Sequence, residues 1–343
     1  MSTGKPVLRF NADGRFRVLM FSDFHAGADI SPKVKRGIEA LLESTAPDFV
    51  MIGGDQCLLR DTPAALGKYM CEIIEPLLKR NIPWAAVFGN HDRERHNGIS
   101  LEQEEAVYEA IPGCLMLRGP RDIHGVGNYC IPVYSSGGDA AYYLWGMDSH
   151  RELWDFFKEY SSDGKPDSSL PDNCNESGNG STPYFNQVMW YYTESVKIEA
   201  AAGRKIPGVM FMHTPLPEFN EIVRNPEQCG AIGSKRAAVD SSEISSGLFM
   251  AAVERGDIKG LFFGHEHLND LQGTYGGITM ACDAAIGYNM SGHDDLRGGR
   301  IIDLYENGGM ETRAVKLIDI MGRDALRNPD FFEGGCSYFI RKL

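Results

Sequence analysis

The chain of 343 residues predicts an α/β protein built on open sheets, and three features support this. Its first half alternates short apolar runs with amphipathic helical stretches. Its second half is richer in strand-like segments. Five of the apolar runs then end in a compact cluster of Gly, Asp, Asn or His. In an open α/β sheet, ligands bind in the crevice beyond the carboxyl ends of the strands. The same five clusters therefore bear on both fold and function.

"FRVLMFSD" (Phe16–Asp23) reads as the first long strand. "SPKVKRGIEALLES" follows as a helix, with Ser31 as N-cap, Pro32 in the first helical position, and Val34, Ile38, Leu41 and Leu42 on one face. "DFVMIGGD" (Asp48–Asp55) is a second apolar strand. "TPAALGKYMCEIIEPLLKR" has helical spacing, and Pro76 should kink or shorten it. Ala85–Phe88 is the next strand, continuous in apolar residues as expected of a sheet covered on both faces. In "SLEQEEAVYEAI", Ser100 and Gln103 suit a capping box.

From about Leu115 the segments "NYCIPVYSS" and "AYYLWGMDS" read as strands. Tyr160–Thr182 is a polar Ser/Asp/Asn/Gly stretch, expected to be a mobile surface insertion in an otherwise single domain spanning 1–343. A helix is expected over Tyr184–Ala202. The strands "PGVMFMHT" (Pro207–Thr214) and "IKGLFFGHEH" (Ile258–His267) come next, and Gly-rich antiparallel hairpins complete the pattern.

A hydrophobic fraction of 43% and a charged fraction of 24% are those of a globular protein. The net charge of −13 argues against a surface that grips nucleic-acid phosphates. It leaves anionic substrates open, because bound metal reverses the sign locally. The amino-terminal "MSTGKPVLRFNADGRF" has no apolar run of signal-peptide length, and no later run is long enough to span a membrane. The eight cysteines form no C-x-x-C pair, which fits reduced thiols. The expected compartment is cytoplasmic, with no membrane or nucleic-acid partner.

The five clusters are Ser22-Asp23-Phe24-His25, Gly53-Gly54-Asp55, Gly89-Asn90-His91-Asp92, Met212-His213-Thr214 and Gly264-His265-Glu266-His267. A histidine after an apolar strand is by itself ordinary turn chemistry, and so is Gly-Asn. Five such clusters, each at a strand end, are not explained by chance. In extended chain, the Asp23/His25 and His265/His267 spacings would put each pair on one side. Imidazole and carboxylate together suit Mn, Fe, Zn or a similar ion, and the lack of a Cys cluster argues against structural zinc. Two ions about 3.5–4 Å apart stabilise both oxygens of an in-line phosphoryl displacement and lower the pKa of a bridging water.

The ordered set D-x-H, G-G-D, G-N-H-D, H and G-H-x-H resembles the signature of the calcineurin-like metallophosphoesterases, across Phe16 to His267. That resemblance implies a four-layer α/β-β/α sandwich with two central mixed β-sheets, and a centre of two divalent or trivalent ions. It implies that Asp23, His25 and His267 hold one ion, that Asn90, His213 and His265 hold the other, and that Asp55 bridges. His91 would sit by the phosphate as a catalytic group with Asp92 orienting it, and Asn90, His91 and Arg93 would touch substrate. The implied activity is phosphoester hydrolysis through a bridging hydroxide. A phosphatase acting on a phosphorylated small molecule or a phosphoprotein is expected. The alternatives are a phosphodiesterase on cyclic nucleotides or other diesters, and a non-catalytic interaction scaffold.

"GGDQ", "VFGNHD", "HTPLPEF", "GHEHLNDLQG" and "PYFNQVMWYY" are similar, more narrowly, to a purple-acid-phosphatase-like branch. Purple acid phosphatases proper place a metal-binding Tyr three residues after the bridging Asp, where this chain has Leu58. The iron charge-transfer colour is therefore expected to be absent. Glu218 is expected to be solvated and Glu266 to be structural, pointing away from the site. His150, His293, Arg93 and Arg297 could reach the crevice mouth, with surface positions the expectation for each.

Overall fold

The apolar runs form the strands of two mixed sheets in a computed structural model that describes residues 4–27, 30–56, 61–93, 98–151, 161 and 182–326. Leu58 and nearly all of Tyr160–Thr182 lie outside the described residues. In the seven-stranded sheet, β1 (Leu8–Arg9), β5 (Tyr129–Tyr134), β6 (Ala140–Gly146), β7 (Gly208–Met212), β8 (Ile258–Phe263), β10 (Ile278–Cys282) and β9 (Gln272–Tyr275) lie side by side in that order. The five-stranded sheet runs β12 (Met310–Lys316), β11 (Gly298–Tyr305), β2 (Arg15–Phe21), β3 (Phe49–Ile52) and β4 (Trp84–Ala86). β2, β3 and β4 are mutually parallel, as are β6, β7 and β8. The β9–β10 and β11–β12 pairs are antiparallel hairpins.

Strand alternation sorts the core into layers. Val209, Phe211, Phe262 and Ala281 share a cluster with the five-stranded sheet, and Phe211 stacks on Phe262 at 5.6 Å between ring centroids. Their neighbours Met210, Met212, Leu261, Phe263 and Met280 pack on the opposite face, with Val188 and Tyr191 of the helix Phe185–Ala202 and Leu248 and Ala252 of the helix Leu248–Arg255. On the far side of the five-stranded sheet, the helix Pro32–Thr45 buries Val34, Ile38, Leu41 and Leu42 and contacts β11. The order is helix, sheet, sheet, helix. Polar groups link the sheets, among them Tyr129 Oη, which donates to Ala86 O at 2.7 Å, and Arg300 Nη2, which donates to Asp270 O and Cys282 O at 3.0 Å each. Arg300 is fully buried, so these bonds also satisfy a charge that would otherwise be costly.

The caps follow the local chemistry. Ser31 accepts from Lys33 N, with Pro32 in the first turn, and Ser100 and Gln103 bond reciprocally. The Pro76 segment divides into Pro63–Ile73 and Glu75–Arg80, because proline removes an interior N–H but is tolerated in a first turn. The strands are shorter than the apolar patterns suggest. β4 closes at Ala86 rather than Phe88, and β2, β3, β7 and β8 close before Asp23, Asp55, His213 and His265. The polar clusters are loops leaving the sheets, and that changes how their side chains converge.

Candidate metal centre

The loops after β2, β3, β4, β7 and β8 meet at one edge shared by both sheets. Their backbones are laced together: Asp23 N donates to Gly54 O and His25 N to Asp55 O, both at 3.0 Å, and Gly287 N donates to Asp23 O at 3.1 Å. Asp23, His25, Asp55 and His265 have φ of 59°, 44°, 53° and 68°. These are left-handed conformations, uncommon for residues with a side chain and concentrated at functional sites. The D-x-H and H-x-H pairs thus do not converge by extended-strand alternation, as the spacing alone suggested. Each chain turns sharply at the ligand itself. At His265 the turn is a three-residue loop, with Glu266 N donating to Gly264 O at 2.7 Å.

Two donor groups result. Asp23, His25, Asp55 and His267 form one, and Asp55, His213 and His265 the other, with ligand atoms in each within 4.8 Å of one another. Within the first, His25 Nε2 lies 3.0 Å from His267 Nε2, and His267 Nε2 lies 3.0 Å from Asp23 Oδ1. Within the second, His213 Nε2 lies 3.2 Å from Asp55 Oδ2 and 3.3 Å from His265 Nδ1. Donors about 2.1 Å from a common ion at right angles stand roughly 3 Å apart, so the spacing fits a cation.

The carboxylates are arranged to offer one oxygen each. Asp23 Oδ2 accepts from Ser22 Oγ and from His265 N, leaving Oδ1 toward the histidines. Asp55 Oδ1 accepts from His91 N at 2.9 Å, while its buried Oδ2 has no hydrogen-bond partner and faces His25 at 3.6 Å and His213 at 3.2 Å. Asp55 Oδ2 therefore stands between the two groups. Asn90 Oδ1 is also buried without a partner, and Asn90 lines the same cleft. Orphaned buried oxygens of this kind require a partner, and a cation fits the donor set.

Outer contacts fix the rings. His213 Nδ1 faces Gly53 O at 2.8 Å and His267 Nδ1 faces Ser291 Oγ at 3.0 Å, so each turns Nε2 inward. Asn289 Nδ2 donates to His25 O at 2.8 Å. The electrostatics agree. Burial would raise the carboxyl pKa of Asp23, but the charges on His267 and His213 outweigh it and hold it well below the usual range. Burial likewise opposes the shift at Asp55, where His213 prevails and holds the carboxyl far below that range. Burial disfavours charge on His213, yet Asp55 and Asp23 raise its pKa to about 10. Burial lowers the pKa of His25. The two carboxylates thus draw a proton onto His213 where an ion would otherwise supply positive charge.

His91 opens the short 3₁₀ turn His91–Arg93 and lines a cleft of about 280 Å³ with Asn90, His265 and His267. Its ring meets that of His25 edge-on at 5.1 Å. Ala237, Ala238, Asp240 and Met290 form the facing wall. Asp92, expected to orient His91, uses its carboxylate to accept Asp55 N at 2.9 Å, Gly89 N at 2.7 Å and Gln56 N at 3.2 Å. It pins the loops after β3 and β4 to each other. The Arg93 guanidinium pairs with the buried Asp148.

Two surface expectations are corrected. His150 is buried, stacked on Tyr184 at 3.9 Å and bonded through Nε2 to Gln187 Oε1 at 2.7 Å. Arg297 is 1% exposed, with its guanidinium 4.4 Å from the centre of the Tyr288 ring. In both cases an aromatic ring covers the polar group, Tyr184 from a separate element for His150 and the nearby Tyr288 for Arg297. Arg93 is half-buried and His293 is exposed. Glu218 Oε1 accepts from Ser245 Oγ at 2.6 Å, and Glu266 is buried, with Oε1 accepting from Asp240 N at 2.7 Å. The sequence reading missed Asp148, Asp240, Asn289 and Ser291. Asp148 follows the apolar run of β6 as the other clusters follow theirs, so that signal was present; nothing local marks the other three.

Comparison with known proteins agrees with this fold. Residues 16–269 match the calcineurin-like phosphoesterase family, to which the chain belongs. It is 27% identical over 314 residues to the probable inactive purple acid phosphatase 14 of Arabidopsis thaliana, covering 83% of this chain and 74% of that protein. It is 25% identical to the phosphatase DCR2 of Saccharomyces cerevisiae over 79% of this chain and 47% of that protein. In fold it is similar to a dimetal phosphatase from Danio rerio, with a TM-score of 0.57 at 12% identity, covering 88% of this chain and 96% of that one. Two mixed sheets with this connectivity are thus the metallophosphoesterase architecture.

Proposed function

We propose that this chain is a metal-dependent phosphomonoesterase acting on a phosphorylated small molecule or a phosphoprotein through a dinuclear centre. The observation that carries the reading is Asp55, whose one unpartnered oxygen is shared by two donor groups at the floor of a cleft bordered by His91. Two ions held there would supply a hydroxide near neutral pH and a positive field for the phosphoryl oxygens. Asp23, His25 and His267 would hold one ion, Asn90, His213 and His265 the other, and Asp55 both. Mn, Fe and Zn all suit this mixture of nitrogen and oxygen donors. His91 faces the space above the centre and donates a proton to the leaving oxygen. Its backbone N–H on Asp55 Oδ1 couples its position to the bridging ligand. Asp92, by holding the Asp55 and Gly89 amides, keeps the two loops in register.

A second reading has support from the names of relatives: three matched Arabidopsis thaliana proteins are described as probable inactive purple acid phosphatases. In that reading the fold serves as an interaction scaffold. One experiment separates the two. The protein is stripped with chelator, reloaded with Mn, Zn, Fe or Co, and assayed on a nitrophenyl monoester beside its bis-ester. Metal-restored cleavage, faster on the monoester, is expected. Faster cleavage of the bis-ester would make it a diesterase, and two ions bound with neither ester cleaved would favour the scaffold. Asp55→Asn and His91→Ala should each lower turnover at least roughly a hundredfold with the fold intact. Wild-type activity in either variant would overturn the assignment.

A further inference from the structure

The three histidines whose rings are held from outside the centre have three different partners. His213 faces a carbonyl and His267 a hydroxyl, whereas His265 turns its buried Nε2 toward a carboxylate, Asp240 Oδ2, at 3.3 Å, an ion-pair approach in which that nitrogen has no aligned hydrogen bond. Its other nitrogen, Nδ1, is the one aimed at His213 and the second donor group. His265 is therefore reversed relative to its neighbours, presenting Nδ1 rather than Nε2 inward. Its backbone sits in a three-residue turn at φ 68°, a conformation that the local chain does not favour by itself.

The segment carrying Asp240 is clamped to the ligand loop independently of that carboxylate. Asp240 N donates to Glu266 Oε1 at 2.7 Å. Asn269 Oδ1 accepts Arg236 N at 2.8 Å and Ala237 N at 3.1 Å. Arg236 in turn pairs with both oxygens of Asp295, at 2.9 and 2.6 Å. The backbone at Asp240 is thus fixed beside the ligand loop, and its carboxylate lies on the wall of the cleft within ion-pair distance of the His265 ring.

We infer that Asp240 is a positioning residue for the second ion: its carboxylate holds His265 with Nδ1 facing the centre and strengthens that nitrogen as a donor. A carboxylate on the far side of a ligating imidazole fixes the tautomer and raises its basicity, and removing such a partner typically weakens metal binding about 10- to 100-fold. The inference rests on the dinuclear reading, but not on the chain being catalytic. It also separates the two ions, because Asp240 touches only the group formed by Asp55, His213, His265 and Asn90.

The test is an Mn(II) binding isotherm of the full chain, read by the paramagnetic resonance signal of free Mn(II) and by the spin-coupled signal of a paired centre. Wild type should bind two ions. Asp240→Ala should keep one at wild-type affinity, weaken the other about 10- to 100-fold, and lose the coupled signal at limiting metal. Asp240→Asn, which retains an acceptor but no charge, should fall between them. Neither substitution removes the backbone bond to Glu266, so the metal-free variants should melt with wild type. An Asp240→Ala isotherm superimposing on wild type would overturn the inference. A wild-type chain binding fewer than two ions would overturn it together with the dinuclear reading. Two ions in wild type without hydrolysis would remove only the phosphatase reading.

Discussion

Gly89→Ala is the substitution with the most directly calculable effect. A methyl carbon on Gly89 would lie 2.6 Å from Asp55 N and 2.7 Å from Asp55 Cγ, and closer still to Asp55 Oδ1. Relief to ordinary contact requires a shift of roughly 0.8 Å at Asp55 N and more than that at Asp55 Oδ1, in packing that otherwise leaves little free space. Little else can yield: Asp55 N is already bonded to Asp92, and Asp55 Oδ1 to His91 N. The bridging carboxylate must therefore move by several times the roughly 0.2 Å that metal–ligand distances tolerate. Overpacking of this kind costs about 1–3 kcal/mol, which a chain with this much buried core survives. The expected outcome is a folded protein with fewer than two ions per chain after gel filtration. Its turnover should be at least roughly a hundredfold lower, since bridging geometry is displaced. Metal analysis by mass spectrometry, beside a urea unfolding curve, reads both quantities. A Gly89→Ala protein that keeps two ions at wild-type affinity would refute the placement of Asp55 as the bridge.

Two further predictions concern protons and colour. In the metal-free chain burial disfavours charge on His213, but Asp55 and Asp23 raise its pKa to about 10, above the ordinary imidazole value of about 6.5. A raised pKa contributes stability that is fully present below pH 6.5 and is lost as pH rises through about 10, so the metal-free melting temperature should fall across that window. The lowered carboxyls of Asp23 and Asp55 act in the opposite sense, their contribution being present above about pH 4 and lost on acidification. Because an ion must displace the His213 proton at neutral pH, affinity should weaken as pH falls, and calorimetry in two buffers of different ionisation enthalpy should register proton release. Heats independent of the buffer would contradict this. With Leu58 at the sequence position that carries the phenolate ligand in purple acid phosphatases, iron-loaded protein should be colourless. An intense visible band that disappears in Asp55→Ala would contradict that expectation.

Much of this protein is set by short-range patterning. Apolar runs of strand length, the Ser31 and Ser100 caps and the Pro76 break each follow from the chemistry of neighbouring residues, and each has its counterpart in the structure. The five polar clusters were legible for the same reason, since each is a local departure from an apolar run. Other features depended on residues far apart in the chain. The left-handed turns at Asp23, His25, Asp55 and His265 exist because neighbouring loops supply the hydrogen bonds that hold them, so spacing alone suggested extended chain. His150 looks like a surface residue until Tyr184 is brought against it. Asp240 carries no mark in its own segment; its relation to His265 arises where the loop ending at Asp240 is clamped to the one after β8. The sequence by itself determined the alternation of strands and helices and nominated the polar clusters, because burial period and turn chemistry act over a few residues; the layers followed only from the family resemblance. Only the tertiary structure decided which oxygen of Asp55 is left open and which nitrogen of each histidine faces the centre. Those choices are made by hydrogen bonds from segments tens to hundreds of residues away.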